Sequence, residues 1–215
     1  MNHTISTTMT VTDIIYTENK RYLVYLNDAP AFELYKSEIK SCLIEKGQDL
    51  SCEQRKNILE NVIGKRAKKR AMHILEKQDK TEQQLREKLA QNRYPQECID
   101  MAVDYVKSYG YINDRTYAER YVEYGSKTKS KKKLKQELMT KGVSSQIIHE
   151  VLDREEVNEM AALEKLILKK TVEPWELTED GRQKLVMSLM RKGFSYRDIE
   201  AVLQKLEENP PENAW

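Results

Sequence analysis

Lysine side chains form the strongest candidate for a functional surface in this sequence. Between Gly125 and Lys141 the chain has seven lysines and a single acidic residue, Glu137. Six of the lysines lie within nine residues: Lys127, Lys129, Lys131, Lys132, Lys133 and Lys135. A cluster of this density raises the local electrostatic potential and attracts polyanions. We therefore expect it to contact nucleic acid phosphates or an acidic protein surface.

A second basic cluster lies earlier in the chain, within an amphipathic stretch. It contains Lys65, Arg66, Lys68, Lys69 and Arg70. For any single cation a solvated helix face is the ordinary explanation, but the density of the first cluster favours a binding role. The sequence alone leaves open whether the partner is DNA or protein.

Tyrosines form a further cluster between the two basic ones. The six are Tyr105, Tyr109, Tyr111, Tyr117, Tyr121 and Tyr124. The last three follow a spacing of four and three residues, so they share one face of a helix. We expect these rings to fill the core between repeats, with base stacking beside the lysines as the alternative.

Catalytic and metal-binding patterns are missing from the sequence. His3, His73 and His149 have no partner at metal-ligand spacing, and neither a phosphate-binding loop nor a nucleophile motif is recognisable. The three cysteines show no CxxC pair, which favours a reducing compartment. We expect a cytoplasmic protein that is not an enzyme and has no catalytic residue, cofactor, metal or membrane span. We also expect a monomer.

The elements that carry these clusters follow a repeated phrase. In each copy, two leucines four residues apart precede a short turn, and two apolar residues four apart follow it. The copies begin at Leu85, Leu134 and Leu185, which are 49 and 51 residues apart. Such a period indicates a tandem repeat. Each phrase predicts helix, turn and helix, and an amphipathic stretch before it completes a three-helix unit.

Glycine marks the turn in two of the copies. Gly142 and Gly193 follow the first helix of the phrase, where a left-handed residue without a Cβ is favoured. Ser144 and Ser195 are then expected to cap the second helix. Arg93 replaces the glycine in the first copy, so its turn need not be the same.

Strands are expected only near the N-terminus. From about residue 9 to residue 35, β-branched and aromatic residues alternate with turn signals, as at Asn27–Asp28, which predicts a small β-meander. This meander has little core of its own. We expect it to lean on the helix that follows.

After residue 36 the sequence predicts helices alone. We expect a helix from Lys36 to Glu45, a second that opens at a Ser51 capping box and ends near Ile63, and a third from Lys65 to Lys77. The lysine-rich stretch Gly125–Lys133 breaks the helical pattern. The predicted domains are residues 1–50, 51–110, 111–153 and 154–208, with an acidic tail at 209–215.

Two blocks of the sequence resemble the RecX family, bacterial regulators of the RecA recombinase. The first is Gly110-Tyr111-Ile112-Asn113-Asp114 with Tyr117-Ala118, although Asn113 stands where many members have Asp. The second runs from Leu134 through Leu138 to Gly142-Val143. The resemblance extends from about Val11 to Leu206. The residues that carry it, which we expect to be structural, are Gly110, Tyr111, Ile112, Asp114, Tyr117, Ala118, Leu134, Leu138 and Gly142.

The resemblance implies a mainly α fold of three tandem three-helix repeats in an elongated, curved array with a small N-terminal β-meander. It implies binding to RecA and to the RecA–DNA filament, with inhibition of strand exchange, ATP hydrolysis and coprotease activity. It thereby implies a role in DNA repair, DNA recombination and the SOS response.

Two other functions remain open from the residues themselves. The first is a direct DNA-binding protein acting on single- or double-stranded DNA, because each helix-turn-helix could place its second helix in a groove of a duplex. Those second helices are not basic, however, which favours phosphate or protein contacts over base readout. The second is a scaffold built from helical repeats.

Overall fold

The computed structural model describes residues 8–154, 158–171 and 174–209. Most of these residues are helical, and a four-stranded antiparallel sheet lies near the N-terminus, which confirms the predicted fold class. The chain divides into two compact units, Met1–Asn113 and Asp114–Trp215. The predicted acidic tail beyond residue 209 and residues 155–157, at the predicted start of the third repeat, lie outside the described residues.

The sheet has the strand order β3-β2-β1-β4. Its strands are β1 Met9–Tyr16, β2 Tyr22–Leu26, β3 Ala29–Leu34 and β4 Asp49–Leu50. Asn27 and Asp28 both have positive φ, at 48° and 63°, as a two-residue hairpin turn between twisted strands requires. The predicted meander and this turn are therefore confirmed.

Strand β4 shows that the expectation of strand only before residue 36 was wrong. Its two residues pair with the start of β1, Met9 with Leu50 and Thr10 with Asp49. The Leu50 side chain is buried in the core of this unit. A strand of two residues carries no periodicity, because its pairing depends on a partner 39 or more residues away.

The first helix, α1, is shorter than predicted. It spans Lys36–Ser41 instead of reaching Glu45. The backbone turns at Leu43, whose φ is 52°, and Ile44 is buried. The chain therefore leaves the helix early and places an isoleucine in the core.

The two helices predicted on either side of Gly64 are one continuous helical segment. It consists of α2 Cys52–Asn57, a π-helical stretch Ile58–Gly64 and α3 Lys65–Lys77. Gly64 has helical φ, and a Cβ there would lie 2.8 Å from the Leu59 carbonyl and 3.2 Å from Met101 Cε. The glycine thus permits a wide turn to pack closely against Met101. The predicted Ser51 capping box is present.

The first repeat is completed by α4 Glu82–Gln91 and α5 Gln96–Ser108. Arg93, between them, has a φ of 60°. Its N–H donates to the Ala90 carbonyl at 2.8 Å, and the Tyr94 N–H donates to the Leu89 carbonyl at 3.3 Å. This is the bond pattern of a Schellman turn, so arginine adopts the left-handed conformation that glycine adopts in the other copies.

The second repeat consists of α6 Asp114–Gly125, α7 Lys131–Thr140 and α8 Ser145–Arg154. The third consists of α9 Glu159–Lys170, α10 Glu179–Arg191 and α11 Tyr196–Glu208, with a 3-10 turn at Pro174–Glu176. Gly142 and Gly193 have φ of 84° and 93°, so both are left-handed as predicted.

The predicted serine caps are also present. Ser144 accepts from the Ile147 N–H, and Ser195 accepts from the Asp198 N–H. Helix α7 begins at Lys131, so the expectation that the helical pattern stays broken to Lys133 was wrong.

Each repeat buries its leucine pair in a hydrophobic core. The sheet and the first repeat share one cluster, and the second and third repeats each have their own. The buried pairs are Leu85 and Leu89, Leu134 and Leu138, and Leu185 and Leu189. The spacing of the leucines therefore predicted the core-facing side of these helices correctly.

Candidate functional site

The first basic cluster is divided between a short loop and the start of α7. Lys127 and Lys129 lie in the loop, and the other four lysines lie on the helix. Lys127, Lys132 and Lys135 are exposed, whereas Lys131 and Lys133 are half-buried. We call the three exposed lysines the α7 basic surface.

Lys129 does not belong to this surface, although the sequence placed it there. Its Nζ lies 2.6 Å from Glu137 Oε2, and its side chain is 30% exposed. The Tyr121 hydroxyl donates to the same carboxylate at 2.6 Å, and the ammonium lies 5.3 Å from the Tyr121 ring centroid. Burial lowers the pKa of Lys129, but the hydrogen bonds to Glu137 and Tyr121 outweigh it and raise the pKa overall. The lysine stays charged and is neutralised by an internal partner.

The start of α7 is held by residues of the third repeat. Ser130, which is buried, caps the helix by accepting from the Lys133 N–H at 3.2 Å. Its own N–H donates to the Lys192 carbonyl at 3.1 Å, and the Lys131 N–H donates to the Glu159 carboxylate. The backbone that carries the lysines is therefore fixed.

Lysines at this end of a helix do not serve helix stability. Lys131, Lys132 and Lys133 occupy the first turn of α7, where the helix dipole is positive. Each cation there is disfavoured by a few tenths of a kcal/mol to about 1 kcal/mol. A helix N-terminus favours an anion, and here the Glu159 carboxylate already accepts from the Lys131 N–H. Among the three lysines of this first turn, Lys132 is exposed, so its side chain is the one placed to attract phosphate or carboxylate groups of a partner.

An exposed aromatic ring lies beside the α7 basic surface. The Nζ of Lys127 is 5.6 Å from the centroid of the Tyr124 ring, which is 69% exposed. Tyr124 was expected in the core with Tyr117 and Tyr121, and that expectation was wrong for this residue. Tyr117 and Tyr121 do pack against the core of the second repeat, with their rings stacked at 6.1 Å.

In the second basic cluster, Arg66 stabilises the fold. Its guanidinium lies 2.5 Å from the Glu38 carboxylate and donates to the Glu33 carbonyl at 2.8 Å. It also lies 4.9 Å from the Tyr35 ring centroid and 5.6 Å from that of Tyr94. With 17% of its side chain exposed, Arg66 joins the sheet to the first repeat. Its guanidinium is thus held by contacts within the fold, and its expected contact with a partner stays a prediction.

The other members of this cluster differ in their surroundings. Lys65 and Lys69 are exposed, and Arg70 is half-buried. Lys68 is half-buried with its Nζ 5.4 Å from the centroid of the Tyr105 ring. Within this cluster, Lys65 and Lys69 are therefore the two exposed cations.

A buried carboxylate that the sequence analysis missed lies near this cluster. Glu33 is 3% exposed and forms ion pairs with Arg21 and Arg93, each at 3.1 Å. It also borders an open cavity of about 260 Å³ between β3 and the turn at Arg93. Glu33 lies between the buried residues Phe32 and Leu34 in β3. The sequence gave no signal of its burial, because both of its arginine partners are distant in sequence.

The residues of the two sequence blocks have structural roles. Gly110 and Gly142 are left-handed turn residues, and Asp114 is the first residue of α6. Ile112 is buried in the core of the first unit. Ala118, Leu134 and Leu138 are buried in the core of the second repeat, and Tyr117 is half-buried against that core. Tyr111 differs, because its ring is exposed.

The described part of the chain offers neither a metal-ligand cluster nor a membrane span. Over residues 8–154, 158–171 and 174–209, no group of three or more His, Cys, Asp or Glu side chains is placed to hold a metal ion. Among the described helices, none has the length and apolar composition that crossing a membrane requires.

Comparisons with known proteins all lead to one family. Residues 113–152 match the model of the RecX second three-helix domain, and residues 67–105 match that of the first. The regulatory protein RecX of Clostridium tetani is 33% identical over 193 residues, covering 87% of this chain and 88% of the relative. That of Caldanaerobacter subterraneus subsp. tengcongensis is 31% identical over 197 residues, covering 91% and 98%.

Solved structures give the same result. A crystal structure of regulatory protein RecX matches with a TM-score of 0.56 at 25% identity, covering 91% of this chain and 99% of that one. A crystal structure of RecX from Lactobacillus salivarius matches with a TM-score of 0.52 at 25% identity, covering 68% and 97%.

Proposed function

The chain belongs to the RecX family of regulatory proteins, and we propose that it binds the RecA recombinase and the RecA–DNA filament and inhibits the activities of that filament. The observation that carries this proposal is the similarity to regulatory protein RecX at about a third identity over most of both chains. Inhibition of strand exchange, ATP hydrolysis and coprotease activity would modulate DNA repair, recombination and the SOS response. The protein acts without catalysis of its own, as a cytoplasmic monomer.

The α7 basic surface supports this proposal and is our candidate contact. Lys132 and Lys135 are three residues apart on α7, so they are neighbours on one helix face. Lys127 precedes them in the adjoining loop. A filament of RecA on DNA offers both phosphates and acidic side chains, and either would be attracted by these cations.

Filament binding by matched lysine variants tests the proposal. Binding to fluorescently labelled RecA–DNA filaments is measured over a salt series for the wild type, for the triple variant Lys127→Gln/Lys132→Gln/Lys135→Gln, and for Lys129→Gln as the control. We expect the triple variant to bind more weakly while its melting temperature is not lowered. If the lysines contact phosphates, its dependence of log affinity on log salt is shallower by up to about two to three.

The control separates charge from position. Lys129→Gln removes one positive charge from the same segment, against three in the triple variant, but Lys129 is already paired with Glu137. We expect it to leave the salt dependence unchanged and to lower stability. Failure of the wild type to bind filaments at low salt would contradict the proposed function. A triple variant that binds like the wild type would contradict only the contact surface and would transfer that role to Lys65 and Lys69.

Binding to DNA-free RecA shows whether the lysines contact protein side chains or DNA phosphates. If the lysines contact acidic RecA side chains, the triple variant also loses affinity for RecA alone. Direct binding to DNA remains the second candidate function, because the exposed lysines would attract phosphates without RecA. It predicts that the wild type binds bare DNA as tightly as it binds the filament.

A further inference from the structure

Three tyrosine rings form a continuous group at the C-terminal end of α5. The centroids of Tyr105 and Tyr109 are 4.9 Å apart, and those of Tyr109 and Tyr111 are 5.9 Å apart with 20° between the ring planes. Tyr105 packs partly against the core, whereas Tyr109 and Tyr111 are 62% and 53% exposed. The rings were expected in a core between repeats, so the exposure of the last two corrects that expectation.

A tight backbone turn brings the three tyrosines together. Helix α5 ends at Ser108, and Gly110 follows with a φ of 71°. The Gly110 N–H donates to the Lys107 carbonyl and the Tyr111 N–H donates to the Val106 carbonyl, both at 2.9 Å. This Schellman turn folds the chain back over the last helical turn. The turn therefore brings Tyr111 next to Tyr109, where their rings lie 5.9 Å apart.

Positive charge lies beside the rings. The Nζ of Lys68 is 5.4 Å from the centroid of Tyr105, and Lys65, on the same helix, is exposed. Lys107 is paired with Glu82 at 2.7 Å and so contributes little net charge. Asp104 is exposed and adjacent to Tyr105 in sequence, but consecutive helix positions do not face each other.

We propose that Tyr105, Tyr109 and Tyr111 form a stacking platform for unpaired bases of a single-stranded nucleic acid, with Lys68 meeting its phosphates. Exposed aromatic rings beside a cation are the combination that binds single strands without sequence preference, because every base has a π face. Bases of a duplex are already stacked on one another, so they do not fit this platform. The proposal does not depend on contact with RecA.

The stacked pair Tyr117 and Tyr121 shows the contrast. Their ring planes are within 14° of each other, but both rings pack against the core of the second repeat. The Tyr121 hydroxyl is also hydrogen-bonded to Glu137. Ring stacking in that pair is explained by packing, whereas nothing in the described part of the chain covers the rings of Tyr109 and Tyr111 to the same extent.

The test compares oligonucleotides that differ only in their bases. Fluorescence anisotropy measures binding of the full-length protein to labelled oligo(dT), oligo(U), an abasic strand of equal length and a duplex. The variants are Tyr109→Ala/Tyr111→Ala, Tyr109→Phe/Tyr111→Phe and, as a control, Tyr196→Ala. Tyr196 is as exposed as Tyr109 but lies in the first turn of α11.

We expect the double alanine variant to lose at least about fivefold in affinity for oligo(dT) and oligo(U), and to bind the abasic strand with unchanged affinity. The phenylalanine variant and Tyr196→Ala should bind as the wild type does. Lys68→Gln should reduce the salt dependence by about 0.7, the value for one phosphate of a single strand. Tighter binding of oligo(dT) would identify the ligand as DNA, and tighter binding of oligo(U) would identify it as RNA.

Three results would overturn the stacking platform. The first is equal affinity of the wild type for the based and abasic strands. The second is an alanine variant that binds oligo(dT) and oligo(U) like the wild type. The third is an equal loss for single strands and duplex, which would indicate a contact without base stacking. None of these results bears on RecA binding, which is measured separately.

Discussion

Replacing Gly193 by alanine should destabilise the protein by more than a left-handed backbone alone explains. A Cβ at Gly193 would lie 2.4 Å from Ser130 Oγ and 2.6 Å from Lys133 Cβ, which are distances that real Cβ atoms do not show. The left-handed φ of 93° costs an alanine about 1 kcal/mol. Overpacking adds about 1 to 3 kcal/mol. We therefore expect Gly193→Ala to lose about 2 to 4 kcal/mol of unfolding free energy.

Gly110 is the matched control for this prediction. Its φ is 71°, and nothing lies within 4 Å of a Cβ placed there. Gly110→Ala should therefore lose only about 1 kcal/mol. Urea unfolding followed by circular dichroism measures both variants. Equal stability of Gly193→Ala and Gly110→Ala would refute the contact between the Gly193 turn and the start of α7.

Three further predictions concern buried and paired groups. Glu33→Ala should lower the free energy of unfolding in urea by about 3 kcal/mol, because it leaves the Arg21 side chain, which is 12% exposed, without its carboxylate; a loss below about 1 kcal/mol would refute this. Burial raises the pKa of Glu137, but hydrogen bonds from Lys129 and Tyr121 outweigh it and lower the pKa overall. The ionised Glu137 therefore stabilises the fold above its unfolded pKa of about 4.3, and this stabilisation is lost as pH falls through the lower folded pKa. Wild type should therefore lose more stability than Glu137→Gln between about pH 5 and pH 3 in thermal melts. Burial raises the pKa of Cys98 to about 11, so a thiol reagent at pH 8 should label exposed Cys52 first, and equal rates would contradict this burial.

The repeat could be predicted from sequence because its signals are local. The leucine spacing, the serine caps and the glycine turns each depend on residues within about one helical turn of one another. The same rule set Arg93 apart from the two glycines, yet Arg93 adopts a φ of 60° and its side chain pairs with Glu33. Propensity alone gives a weak expectation where tertiary contacts decide the conformation.

The candidate site could be predicted only in part, because exposure depends on distant partners. Lys129 and Lys132 are alike in sequence context, yet Glu137 pairs with the first and the second is exposed. Arg66 forms an ion pair with Glu38, which lies 28 residues earlier in the chain. Charge density thus located the basic clusters, but it did not separate the lysines available to a partner from those used by the fold.

Inhibition of ATP hydrolysis by RecA tests the central claim most directly. The rate of single-stranded-DNA-dependent hydrolysis by RecA is measured while this protein is added well below one copy per RecA subunit, with the triple variant Lys127→Gln/Lys132→Gln/Lys135→Gln in parallel. Our account predicts that the wild type slows hydrolysis at these ratios and that the triple variant requires a higher concentration for the same effect. An unchanged rate with the wild type, up to one copy per RecA subunit, would contradict it.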